Sequence, residues 1–458
     1  MHDSRSFLGE EPVGKLLLKL TVPATMGMLV GALYNLVDTI FVGRAVGPMG
    51  IGAISIVFPF MGIVMACAQT VGMGGASIIS RAMGKGDLAL AERTLGNLLG
   101  VLLLFATLLF VVGQVFLEPI LKLFGATRTM LPLSFDYMRI VLFGNFFFTF
   151  TMALNNILRA EGKAKESMFV MITGAGLNII LDPIFIFGLN MGIRGAALAT
   201  AIAQVVAFLF LMSLYLRGKT TLKIRVTNLA PVWKILREVF AVGASVFVRQ
   251  MAGSLMTIII NNLLKHYGGD IYISIFGVFH RLLMFLFMPM FGIMQGLQPI
   301  VGFNYGAKKP ARIRAVVRLA AIWATAICLV GTAVLLLFSE QLIGLFNTDP
   351  VLIREGSRII RITVLGIPLV GVNIVATTMV LAFGKALPSL IMSMSRQVLF
   401  LMPLVLLLPL KMGLNGIWIA FPLADLAAFF LIMALAAREF KSLKRLDSLS
   451  RVLPVEPS

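Results

Sequence analysis

Twelve apolar runs, most of roughly 20 to 30 residues and parted by short charged clusters, constrain this chain most, because a helix needs about that length to cross ~30 Å of hydrocarbon. They fall near 16–43, 51–79, 92–115, 130–156, 167–190, 194–217, 235–264, 271–303, 312–337, 351–380, 387–408 and 414–438. A soluble chain of 458 residues with 59% hydrophobic side chains and 13% charged ones would lack the polar surface to cover itself. Lipid has to be its solvent. Residues Met1 to Glu10 lack the basic start and short apolar core of a cleaved targeting segment, so the chain is expected to begin in the cytoplasm.

The formal charge of +19 is informative through its distribution. With the N-terminus inside, cytoplasmic loops and ends carry roughly 26 Lys and Arg against roughly 9 outside, the asymmetry that sets membrane orientation. The charge therefore reads as topology. It points to a multi-pass protein of the cell (inner or plasma) membrane with both termini cytoplasmic, and to no nucleic-acid partner. Cys67 and Cys328 both sit in apolar runs, and the three histidines show no paired spacing, so neither a disulfide framework nor a metal centre is expected. Gly218-Lys219-Thr220 echoes a phosphate loop but has Ser213 where the first glycine belongs.

The chain also repeats itself. Arg81 to Gly86 corresponds to Phe303 to Lys308, and Ala160-Glu161-Gly162-Lys163-Ala164 to Ala382-Phe383-Gly384-Lys385-Ala386, both at an offset of 222. Met191-Gly192-Ile193-Arg194-Gly195 corresponds to Met412-Gly413-Leu414-Asn415-Gly416 at an offset of 221. Each repeat holds six spans, an even number, so both enter and leave on the same side of the membrane. The expected architecture is an all-α integral membrane protein of about twelve helices, in two six-helix lobes related by a pseudo-two-fold axis along the membrane normal. The lobes are expected at 1–217 and 235–440, with a cytoplasmic linker at 218–234 and a tail at 441–458.

An ionisable side chain inside a span costs at least a few kcal/mol, so each one needs a partner, a water-filled cavity or a role. Asp38 in the first run and Asp182 in the fifth lie at nearly the same depth. Asn35 and Asn178 precede them by about one turn, and Thr200 enters to a similar depth from the sixth run. Two carboxylates in a dry site repel each other when both are ionised, so the cluster is suited to binding a cation, H+ or Na+. Asp182-Pro183 adds a backbone carbonyl freed by proline.

The second half differs. Arg249, Arg281, Arg396 and Asp425 are expected near the midplane, with Gln250 and His280 beside them in sequence. They form either a salt-bridged network or a basic pocket for an anionic or zwitterionic group. Asp136 and Arg139, three apart on one helix, are expected to satisfy each other. Twenty-seven methionines and thirty-five phenylalanines supply an adaptable apolar lining.

Four stretches resemble the multidrug and toxic compound extrusion (MATE) family over nearly the whole chain: Tyr34-Asn35-Leu36-Val37-Asp38-Thr39-Ile40-Phe41-Val42-Gly43, Asn178-Ile179-Ile180-Leu181-Asp182-Pro183-Ile184-Phe185-Ile186, Gly195-Ala196-Ala197-Leu198-Ala199-Thr200, and Gln295-Gly296-Leu297-Gln298-Pro299-Ile300-Val301-Gly302-Phe303-Asn304-Tyr305-Gly306-Ala307. The resemblance implies a rocker-switch antiporter that exports amphipathic compounds against an inward flow of H+ or Na+. It implies a cation site at Asp38, Asn178, Asp182 and Thr200. Members with a second-lobe cation site carry acids in helices 7 and 10, whereas helix 7 here has Arg249 and helix 10 has no acid beyond its outer end, so coupling is expected to rest on the first lobe. The expected function is cation-coupled export by alternating access, with H+ favoured over Na+ and no other cofactor. Partners would be a small amphipathic organic substrate and the lipid bilayer, with the protein a monomer. The alternative is a flippase for a lipid-linked or anionic amphipathic substrate. No nucleophile and base share a depth, so an enzyme is not expected.

Overall fold

The computed structural model describes residues 4–346 and 349–452, and in it every apolar run is a long helix. In chain order these are α1 (Val13–Val46), α2 (Met49–Lys85), α3 (Leu88–Val115), α4 (Leu131–Ala160), α5 (Ala164–Gly188), α6 (Ile193–Leu216), α7 (Trp233–Tyr267), α8 (Asp270–Gly306), α9 (Pro310–Leu337), α10 (Pro350–Ala382), α11 (Ala386–Met412) and α12 (Leu414–Ser442). Among the described residues there is no β-strand. Hydrocarbon supplies no partner for a bare backbone N–H or C=O, and a helix pairs them within one segment. The expected tail from 441 begins as a continuation of α12 as far as Val452; residues 453–458 lie outside the described residues.

Local chemistry stops the helices. Asp87 caps α3 by accepting from the Leu90 amide at 2.9 Å, and Asp349 caps α10 by accepting from Val351 N at 2.9 Å. The turns use left-handed residues in repeat-related pairs: Gly47 with Gly269, Gly86 with Lys308, Gly162 with Gly384, and Gly192 with Gly413. The repeat is thus written into the backbone. Lys308, at φ 54°, takes a steric penalty that Gly86, at φ 83°, avoids. The same turn forms at both places, so packing rather than residue preference sets it.

Contacts divide the chain into two units, one built on residues 22–243 and the other on residues 244–458 together with 8–21. In the first, α4 packs against α2, α3 and α6, and α6 against α5. Small residues permit the approach: a Cβ on Gly72 would stand 2.9 Å from Ala153 Cα, and one on Gly144 2.7 Å from Ala201 Cα. In the second, α10 packs against α8, α9 and α12, with Gly371 pressed onto the Ala324 carbonyl.

Helices α1 and α7 each contribute to both units. Residues 8–21 pack with the second: Asn304 donates to the Leu8 carbonyl at 3.2 Å, Arg312 to that of Glu11 at 2.7 Å, and Gly296 leaves room for Thr21. Residues 233–243 of α7 pack with the first, where Glu238 pairs with Arg81 at 2.7 Å and a Cβ on Gly74 would meet Val239 O at 2.2 Å. Gly74 and Gly296 are repeat counterparts, and so are Thr21 and Gly243. The boundaries differ from those expected at 217 and 235, because a helix reads as one apolar run whichever element each part of it packs on.

The linker is fastened along the first unit. Asn97 donates to Asn228 O at 3.0 Å and accepts from Val232 N at 2.5 Å, and Glu92 takes Arg225 at 2.9 Å. Glu161, 1% exposed in the turn between α4 and α5, accepts from Thr221 N at 2.6 Å, Leu222 N at 3.3 Å and the Tyr215 hydroxyl at 3.3 Å. Lys163 Nζ donates to the Lys219 carbonyl. Burial pushes the Glu161 carboxyl up to about 7, against the pull of these hydrogen bonds and of Lys163. Its ordinary value is 4.5, so within that window the folded protein holds a proton that the unfolded chain has released. The stability this group contributes falls as pH rises through the window and is level above it. Glu161→Gln is therefore expected to flatten the decline in melting temperature between about pH 4.5 and 7. Parallel melting profiles for the variant and the wild type would refute this.

Candidate functional site

Asp38 on α1 and Asp182 on α5 are 7% and 0% exposed, and their carboxyl groups are close enough to interact. Asn178 is one turn before Asp182, so both point the same way. Its Nδ2 donates to Asp182 Oδ1 at 3.4 Å and to Thr200 Oγ1 on α6 at 3.3 Å. Three acceptor oxygens, Asp38 Oδ1, Asp182 Oδ2 and Asn178 Oδ1, are buried there without a hydrogen-bond partner. Such a donor set fits a small cation, since each orphaned oxygen is one that a proton or metal ion could satisfy. Directly after Asp182-Pro183 the helix widens into a π turn, Ile184–Gly188, a distortion that single-turn insertions near functional sites often show.

Four of the five expected residues come together. Asn35 does not. It is exposed, and its Nδ2 donates to Gly31 O of its own helix at 2.8 Å rather than to the cluster. Two tyrosines take part that sequence reasoning missed. Tyr137 on α4 lies near both carboxylates with its hydroxyl in reach of Thr200, and Tyr34 stands one turn before Asp38. The available signal was that the chain has only six tyrosines, two of which fall within spans at that depth.

In the second unit the expected four-membered network reduces to one ion pair. Arg396 Nε donates to Asp425 Oδ1, with Asp425 1% exposed. Asp425 Oδ2 is buried and lies where a Cβ on Gly366 would stand 2.5 Å away, so only glycine fits at 366. Arg396 sits in a second π turn, Ser395–Leu401 of α11. Arg249 contacts the Met294 thioether at 3.7 Å instead of a carboxylate. His280 and Arg281 are exposed on α8, with the His280 ring 6.1 Å from that of Phe276. Gln250 is exposed, and its carbonyl accepts from Ser254 at 3.4 Å. These side chains occupy different faces of their helices, which depth along a span does not report.

The expected Asp136–Arg139 pair is also corrected. Asp136 is held by Arg194 at the start of α6, through Nε at 2.9 Å and Nη2 at 3.0 Å. That two-pronged geometry is better than a pair three apart on one helix can achieve. Arg139 is exposed, and its carbonyl accepts from Gln114 at 2.9 Å.

Comparison with known proteins gives the family. The sequence model of the MatE family matches residues 23–184 and 246–407, two blocks of equal length, one in each repeat. The chain is 28% identical over 449 residues to the multidrug export protein MepA of Staphylococcus aureus, covering 96% of this chain and 98% of that protein. Among solved structures it resembles the MATE multidrug transporter DinF-BH, at 44% identity and a TM-score of 0.88, over 94% of this chain and 97% of that one. It also resembles a MATE transporter in complex with MaD3S, at 27% identity and a TM-score of 0.90, over 97% and 100% of the two chains. With its twelve spans, its two-unit repeat and a family match across both halves, the chain belongs to the MatE family of multi-pass membrane transporters.

Proposed function

We propose that this chain is a proton-coupled antiporter that exports small amphipathic organic compounds, with Asp38 and Asp182 carrying the coupling ion. The observation that carries the reading is the pair of buried carboxyl groups side by side, each with an oxygen that has no hydrogen-bond partner. Two carboxyl groups this close in a dry site are held together most easily when one of them carries a proton. Release of that proton leaves two negative charges in contact, which the lobe relieves by moving α1 or by admitting water. Coupling requires such a bias: shifting a two-state equilibrium from 1:99 to 99:1 takes about 5.5 kcal/mol of differential binding. Helix α1, which carries both Pro23 and Asp38, is the element we assign to the movement. The likeness to a multidrug export protein supports the efflux direction, and the basic loops support cytoplasmic termini in a cell membrane.

One observation favours the second reading, a flippase. An open groove of about 510 Å³ between α11 and α12 is lined by hydrocarbon, including Leu399, Phe400, Leu423, Leu426 and Phe430. The experiment that separates the two readings is dye efflux from proteoliposomes under a pH gradient and, separately, a Na+ gradient. We expect efflux to follow the pH gradient and to ignore Na+. Dye movement indifferent to both gradients, with translocation of a fluorescent lipid in its place, would transfer the assignment to the flippase.

A further inference from the structure

Of the three arginines expected near the midplane of the second unit, Arg396 is committed to Asp425 and Arg281 is exposed. Arg249 is different. Its guanidinium, half-buried in α7, touches Met294 Sδ at 3.7 Å, and a thioether is a weak acceptor for a group with five donors. One turn further along α7, Gly253 has no side chain, and the Gln397 amide of α11 lies against the space this leaves. A Cβ there would stand 3.4 Å from Gln397 Nε2 and 3.9 Å from Oε1. Gln397 Oε1 is itself buried without a hydrogen-bond partner. Positions four apart share a helix face, so the free guanidinium and the amide line one place in this lobe.

A cationic fork inside a span is expensive unless something anionic meets it, and Asp425, the acid expected at its depth, is already taken by Arg396. A guanidinium matches carboxylate, sulfonate and phosphate oxygens in two-pronged geometry, and an amide N–H adds a third donor. Met294 beside it offers an adaptable apolar wall for whatever carries the acid.

We propose that this lobe receives an acidic group of the cargo, a carboxylate, sulfonate or phosphate, at Arg249 and the Gln397 amide, so that the preferred substrates are amphipathic anions or zwitterions. The inference rests on reading the chain as an exporter of amphipathic compounds. It does not depend on which ion drives export.

The test is equilibrium binding to the full-length protein in phosphatidylcholine nanodiscs, with no gradient imposed, so that a failure of proton coupling leaves the result untouched. The probes are two xanthene dyes of one ring system, one with a free carboxylate and the other its ethyl ester. Wild type is expected to bind the acid about tenfold or more tightly than the ester, the usual size of a charge-assisted hydrogen bond. Arg249→Gln should erase that preference without changing the ester's affinity, and Arg249→Lys should keep part of it. Equal binding of the two dyes by wild type overturns the proposal, and this arm stands even if the variant does not fold. Equal weakening of both dyes by Arg249→Gln overturns it as well. Anionic lipid offers the same chemistry: if phosphatidylglycerol nanodiscs abolish acid-dye binding, the site belongs to a lipid headgroup and not to cargo.

Discussion

Asp38→Asn is expected to reduce gradient-driven dye efflux to the leak of protein-free vesicles while leaving dye binding within a few-fold of wild type. The substitution preserves size and removes the charge that is exchanged. Asp38 is buried beside Asp182 in the first unit, apart from the Arg249 and Gln397 side chains of the second, so its loss should act on coupling and not on the cargo site. An amide at 38 can still hydrogen-bond to Asp182, which keeps the packing of α1 against α5, but it cannot give up a proton. Proton counting alongside efflux makes the test specific: wild type should acidify the vesicle interior or exterior in step with dye movement, and the variant should do neither. Efflux that persists in Asp38→Asn, or a variant that fails to fold, would assign the acid a structural role.

The second large effect is expected at the Arg396–Asp425 pair. Asp425→Asn leaves a guanidinium uncompensated in a span, and removing one partner of a buried pair costs about 3 to 5 kcal/mol. Arg396 keeps 26% of its side chain exposed, which places the loss at the lower end. Adding Arg396→Met to Asp425→Asn should recover most of it, because the penalty comes from the orphaned charge and not from the missing contact. Thermal unfolding of the purified single and double variants checks this. A double variant no more stable than Asp425→Asn would mean that Arg396 itself holds α11 to α12.

The sequence-level features that held up were local ones. Span number follows from hydropathy over some twenty residues, and the repeat follows from loop motifs whose left-handed backbone recurs at Gly162 and Gly384. The clustering of Asp38, Asn178, Asp182 and Thr200 was legible because polar groups in a lipid-solvated chain are few and costly, so shared depth was nearly enough to join them. In the second lobe the same reasoning placed four charges together where the structure pairs two.

The amino-acid sequence by itself determined twelve helices, their repeat and the short inventory of intramembrane charges, since each depends on burial of apolar surface and on the cost of a charge in lipid. Tertiary structure alone decided the partners: Asp425 with Arg396, Asp136 with Arg194, Tyr137 with Thr200, Asn35 turned to Gly31, and the opening residues of α1 and α7 packed away from the rest of their helices. The physical reason is angular. Depth along a helix is read from residue number, but the neighbour a side chain meets depends on how its helix is rotated and crossed, which is set by backbone approach at residues such as Gly74, Gly144 and Gly366.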